Sequence, residues 1–213
     1  MKNRQLLIAL ALVGAGTANA AGDVAIGKKK AETCMGCHAV KGYFNVYPSY
    51  KAPKVAGQNP AYIESALKAY RSGERTHETM KANAANLTDQ DIADISAFFA
   101  AEAYDTPEAA LPQDAKLVAR GEEIANQCIA CHGAAGNAPT GAFPKLAGQH
   151  PDYIINSMSS YIDGRRNNPV MTSMIQQLAE ENGKFNKGDI EALAAYFSSQ
   201  EGVQSLKMPT KLK

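Results

Sequence analysis

Cys34-Met35-Gly36-Cys37-His38 recurs 94 residues later as Cys128-Ile129-Ala130-Cys131-His132, and the two copies use all four cysteines of the chain. Cys-x-x-Cys-His is the attachment signature of a c-type haem. The two thiols add across the two vinyl groups, and a two-residue spacer on a helical turn sets their separation. The histidine follows at once, so its imidazole lies beneath the iron and ligates it. A Cys-x-x-Cys pair also serves thioredoxin-like redox chemistry, a disulfide or half of a zinc site. A redox pair calls for one motif inside a βαβ pattern, and no strand-rich segment exists here. Zinc does not call for a histidine directly after each pair. Cys34, Cys37, Cys128 and Cys131 are therefore the candidate covalent attachments of two haem c groups, with His38 and His132 as axial ligands.

The first twenty residues carry a basic start (Lys2, Arg4), an apolar run from Leu6 to Val13 and a small-residue cleavage site, Ala18-Asn19-Ala20. That pattern predicts a secretory signal peptide over 1–20, cleaved before Ala21. The apolar run is too short for a confident membrane span. Bacteria complete covalent haem attachment outside the cytoplasm, so periplasmic export and the two motifs support each other. Without the leader, 20 basic residues face 21 acidic ones. With no basic excess to neutralise phosphates, nucleic acid is excluded as a partner class.

The motifs sit inside a longer repeat. Ala56-Gly57-Gln58-x-Pro60-x-Tyr62-Ile63 returns as Ala147-Gly148-Gln149-x-Pro151-x-Tyr153-Ile154, an offset of 91 that also maps Tyr70 to Tyr161, Gly73 to Gly164, Arg75 to Arg166 and Met80 to Met171. Two homologous units follow, 21–103 and 115–213, joined by a linker over 104–114 where Pro107 and Pro112 interrupt helical continuation. Both units read as all-α. One amphipathic helix leads into each motif (Asp23 to Thr33, Lys116 to Gln127), and a second runs from Pro60 to Ser72 and from Pro151 to Asp163. The last helix opens on Thr88…Asp91 and Asn186…Asp189, box-like N-caps. Its apolar stripe is Ile92, Ile95, Phe98 and Phe99, matched by Ile190, Leu193, Tyr196 and Phe197. Gly27 and Gly121 would permit a close crossing with the first helix.

A haem iron held by one histidine needs a ligand opposite, and a methionine thioether there raises the potential. Met80 and Met171 stand at matched positions, each ten residues after a tyrosine and seven before a leucine, and are the candidate sixth ligands. Met174, one turn beyond Met171, has Asn83 as its counterpart. His77 aligns with Asn168, and His150 with Asn59. As a lone loop histidine His77 reads as solvated, and His150 as exposed. An imidazole bound to iron needs an acceptor for its other nitrogen; a carbonyl at Pro48 or Pro139 is one choice, a plain loop proline the other. Arg75 and Arg166 meet either haem propionates or water. The run Lys28-Lys29-Lys30 reads as a solvated helix face rather than a docking patch.

Each motif is followed by Pro-Lys-(Val/Leu)-Ala-Gly-Gln, at 53–58 and 144–149, and then by the matched methionine. With these features the chain resembles the dihaem cytochromes c4 over nearly all of its mature length. The resemblance implies two tandem cytochrome c folds related by a pseudo-twofold axis, with haem propionates near their interface. It also implies a periplasmic electron carrier, soluble or peripherally membrane-associated. Its partners would be redox proteins such as a quinol-oxidising complex as donor and a terminal oxidase as acceptor. Two departures bear on docking: a long tyrosine-rich first haem loop (Tyr43, Tyr47, Tyr50) and about seven extra residues around Glu180 to Phe185. The rival readings are a dihaem enzyme of peroxidase or thiosulfate-oxidising type, and a cytochrome subunit of a larger oxidoreductase. An enzyme needs a labile or unusual ligand at one haem, whereas both units here offer methionine.

Overall fold

A computed structural model describes residues 21–102, 112–139, 141, 143–182 and 186–207. The expected signal peptide, most of the linker and part of the Glu180–Phe185 insertion lie outside them. The first unit contains α1 (Val24–Lys30), α2 (Glu32–His38), α3 (Pro60–Ser72), α4 (Glu78–Ala84) and α5 (Asp89–Ala101). The second contains α6 (Ala115–Ala125), α7 (Ile129–His132), a 3-10 turn (Ala134–Gly136), α8 (Pro151–Ile162), α9 (Pro169–Asn182) and α10 (Lys187–Ser198).

The sequence expectation of one helix leading into each motif requires correction. Wholly buried Ala31, with φ −81° and ψ 2°, ends α1 and starts α2. In the second unit α6 stops at Ala125 and the motif occupies its own short α7. The break frees each motif turn from the direction of the helix behind it.

The last helices are placed by local chemistry and by packing. Thr88 and Asp91 form a reciprocal capping box at the start of α5, and Asn186 and Asp189 do the same for α10. Ile92, Ile95, Phe98 and Phe99 are all buried, as are Ile190, Leu193 and Phe197. Gly27 lies against the Asp94 carbonyl and Gly121 against that of Ala192, each so close that a β-carbon would overlap the oxygen. The two crossings, α1 over α5 and α6 over α10, thus rest on glycine at the same place in each repeat. Lys30 turns inward from its run to pair with Asp91 and, at 3.0 Å, Asp94. That leaves Lys28 and Lys29 as the solvated face.

The string after each motif does several jobs at once. The Gly57 N–H donates to Phe99 O and the Gly148 N–H to Phe197 O, both at 2.9 Å, which pins the string to the last helix. Both glycines have positive φ (74° and 75°), a conformation glycine adopts without strain. The neighbouring glutamines cross to the other unit. Gln58 accepts from Lys145 N–H (2.8 Å) and donates to Lys145 O (2.9 Å), while Gln149 accepts from Lys54 N–H and donates to Lys54 O, both at 2.9 Å. Reciprocal pairing of equivalent residues is what a twofold relation requires. A short antiparallel bridge between Arg75 and Arg166, again equivalent positions, lies on the same relation.

Beyond α10 the chain returns to this seam. Val203 N–H donates to Ala147 O of its own unit, and Gln204 exchanges two backbone hydrogen bonds with Ala56 of the other. Leu206, 3 % exposed, then joins the core of the first unit beside Ala56, Phe98 and Phe99.

Candidate haem centres

One continuous cavity of about 420 Å³ runs through both units, and the eight residues predicted from the motifs and the repeat all line it. Cys34, Cys37, His38 and Met80 come from one unit, Cys128, Cys131, His132 and Met171 from the other. None of the four cysteines is paired in a disulfide. Burial pushes the Cys34 thiol up and the Cys128 thiol up to about 11. Among the described residues no group of three or more His, Cys, Asp or Glu side chains could hold a bare metal ion.

Each motif histidine is held by one carbonyl. His38 Nδ1 lies 2.8 Å from Pro53 O, and His132 Nδ1 lies 2.9 Å from Pro144 O. A carbonyl only accepts, so Nδ1 carries the proton and the lone pair is on Nε2, the atom a metal would take. Burial lowers both imidazole pKa values, which keeps the rings neutral. The acceptors are therefore Pro53 and Pro144, five residues beyond the expected Pro48 and Pro139. The first haem loop is three residues longer than the second. The string pinned at Gly57 and Gly148 brings an equivalent carbonyl to each histidine despite that difference.

The two methionines ride on capped helices. His77, read as a solvated loop residue, is the N-cap of α4, its Nδ1 accepting from the Met80 N–H at 3.3 Å. Asn168 Oδ1 accepts from the Met171 N–H at 3.1 Å in the same way. The pairing of His77 with Asn168 in the repeat is thus a pairing of caps. Met174 also lines the cavity. His150 is buried (7 % exposed), contrary to the exposed position expected, because the crossing Gln149 draws its neighbour into the seam.

The same cavity is also lined by a cluster that the sequence only hinted at. The Arg75 guanidinium donates to Tyr153 Oη at 2.7 Å and stacks over the Tyr70 ring at 4.5 Å. Arg166 reaches the same Tyr153 hydroxyl at 3.4 Å and lies over the Tyr153 and Tyr161 rings. Burial raises the Tyr153 pKa, but the two guanidiniums outweigh it and bring it down to about 7. Buried Arg75 Nε has no hydrogen-bond partner among the described residues. Two neighbouring cations, Arg166 buried and Arg75 half-buried with an unused buried donor, call for anions, and haem propionates are anions of the right kind. Unpaired cysteines, fixed neutral imidazoles, capped methionines and this cationic seam together fit two haems. Bound there, haem iron supplies one-electron redox chemistry; the chain's own residues fix the histidines, exclude water and hold the anionic edge.

The cytochrome c family model matches the chain twice, over residues 24–101 and 118–201. Cytochrome c4 of Pseudomonas aeruginosa is 35% identical over 201 residues, covering 90% of this chain and 94% of that one. The chain belongs to the cytochrome c4 family. The crystal structure of reduced recombinant cytochrome c4 from Pseudomonas stutzeri superposes with a TM-score of 0.69 at 29% identity, covering 84% of this chain and 100% of that one. A thiosulfate dehydrogenase electron acceptor of Stutzerimonas stutzeri is 29% identical, covering 79% of each chain. This cytochrome c4 is all-helical, with two cytochrome c domains and two covalent haem c groups, and is a dihaem electron carrier.

Sequence reasoning missed the crossing glutamines, although both were quoted in the repeat. It also missed the strand-like return of Val203 to Leu206, whose only signal is an apolar pair after Gly202.

Proposed function

We propose that this cytochrome c4 works in the periplasm after cleavage of residues 1–20, carrying electrons in a respiratory chain from a quinol-oxidising donor toward a terminal oxidase. Residues 21–103 and 115–213 form its two domains, with 104–114 as linker. Cys34 and Cys37 attach the first haem and Cys128 and Cys131 the second. His38 with Met80, and His132 with Met171, are the axial pairs. The observation that carries this reading is the sameness of the two centres: each offers a carbonyl-fixed histidine and a methionine on a capped helix, and neither offers an open or unusual ligand. With both axial ligands kept through the redox cycle, reorganisation is small and transfer is outer-sphere. Membranes containing the oxidase should oxidise the reduced protein with oxygen uptake, and the native protein should bind little carbon monoxide and turn over little peroxide. Rapid peroxide turnover would sink the carrier reading.

The relative named as a thiosulfate dehydrogenase electron acceptor favours a second reading, in which this chain takes electrons from such an enzyme. Reduction by thiosulfate that depends on added thiosulfate dehydrogenase would support it.

A further inference from the structure

The two units differ in the loop that follows the haem motif. In the second unit residues 133–143 contain one large apolar side chain, Phe143. In the first, five of the eight residues from Val40 to Tyr47 are large apolar side chains turned to solvent. Val46 is 95% and Tyr47 91% exposed, with Val40, Tyr43 and Phe44 between 38% and 50%.

This segment is ordered by its own hydrogen bonds. Asn45 N–H donates to Tyr50 O and Ala52 N–H to Tyr43 O, both at 2.9 Å, with Phe44 bridged to Lys51. The foot of the hairpin is tied to the second unit, where Lys51 N–H donates to Asp152 at 3.0 Å and the Tyr50 ring packs 5.9 Å from that of Tyr153. An exposed apolar tip on a hydrogen-bonded base has less ordering entropy to lose on binding than a free loop, which is how a recognition surface gains affinity. The hairpin also lies beside the first centre, since the neighbouring Cys37 sulfur pushes the Tyr43 hydroxyl pKa up. A partner seated on Tyr43 and Phe44 is therefore seated at an attachment residue of the first haem. Residues 39–52 include Lys41 and Lys51 and no Asp or Glu. Lys51 is held by Asp152, which leaves exposed Lys41 as the charge at the rim.

We propose that the hairpin over residues 40–51 is the docking face for a protein electron acceptor whose redox centre lies beneath an apolar patch rimmed by carboxylates. The identity of that acceptor as part of a respiratory chain rests on the reading above; the location of the face does not. One electron crosses per encounter: the carrier is oxidised by one, the acceptor is reduced by one, and no bond is made or broken. The second unit, lacking the hairpin, exchanges electrons with this acceptor through the first.

The test compares the unaltered protein with the Val46→Ser/Tyr47→Ser double variant and with Ile162→Ser, which removes an exposed apolar residue of the second unit. Each is reduced with ascorbate and offered to respiratory membranes of the source bacterium while oxygen uptake is recorded. The hairpin variant should raise KM roughly tenfold, as loss of a central apolar contact does; Ile162→Ser should leave it unchanged. Lys41→Glu should slow the second-order rate at low salt and flatten its salt dependence. Equal KM for all variants would overturn the docking face while leaving the respiratory reading intact. Failure of the unaltered protein to be oxidised at all would overturn the respiratory reading, and the acceptor proposed here with it. Sedimentation with phosphatidylglycerol vesicles that the hairpin variant abolishes would show a membrane-binding loop instead, and would also overturn the proposal.

Discussion

Replacing Gln58 with alanine tests whether the seam between the two units is held by its crossing amides. The side chain is 4% exposed, and its three polar contacts are to Lys145 N–H, Lys145 O and the N–H of Asn59. Truncation removes the side-chain partner of three backbone groups, the N–H and C=O of Lys145 and the N–H of Asn59. Each such loss costs about 1–3 kcal/mol. Freeing a glutamine side chain in the native state returns up to about 2 kcal/mol of rotamer entropy. The expected net destabilisation is about 2–3 kcal/mol, which lowers Tm by roughly 5–10 °C for a chain of this size. Guanidinium unfolding of the holo-protein, followed by haem absorption, measures it. The same variant should slow electron equilibration between the haems after photoreduction, because the seam that fixes their relation is loosened. A loss below about 0.5 kcal/mol with unchanged inter-haem kinetics would show that water replaces Gln58 at no cost. The reasoning from the crossing bonds would then fail.

Leu206→Ala should destabilise by about 2–4 kcal/mol, and amide hydrogen exchange should place the loss in α1 and α5 of the first unit rather than in the second. Met171→Ala should remove half of the near-infrared thioether-to-iron absorption of the oxidised protein; if Met174→Ala does so instead, the axial assignment moves by one turn. Asp91 is held down to about 2, from an ordinary 3.8, chiefly by Lys30 and then by Thr88, and Asp94 is lowered in the same direction. Depressed carboxylate pKa values give stability that is present above about pH 4 and is lost as pH falls toward 2. Asp91→Asn should flatten that acid limb in urea titrations at successive pH values.

Much of this molecule was legible because the repeat doubles every signal. Met80 alone would read as core; matched with Met171 it reads as a ligand position. Gly27 and Gly121, the two capping boxes and the stripes of α5 and α10 were readable because each is a local pattern. What escaped was long-range. Nothing local in Ala-Gly-Gln says that the amide reaches another unit, or that Pro53 rather than Pro48 faces His38. Those facts depend on where α5 and α10 pin the string. The exposed reading of His150 failed for the same reason: residue type argued for solvent, and a contact between units decided otherwise. The continuous helix expected into each motif failed because periodicity does not register a break as short as buried Ala31 in the first unit or the turn over 126–128 in the second.

The return of residues 203–206 across the seam has a consequence for how the molecule comes to be. A polypeptide leaves the ribosome amino end first, so the first Cys-x-x-Cys-His is made long before Leu206. Until that last stretch arrives, the amino-terminal half lacks the leucine that seals its interior beside Phe98 and Phe99. Seating of the carboxyl end thus acts as a latch, closing the older half only once the younger half has been built.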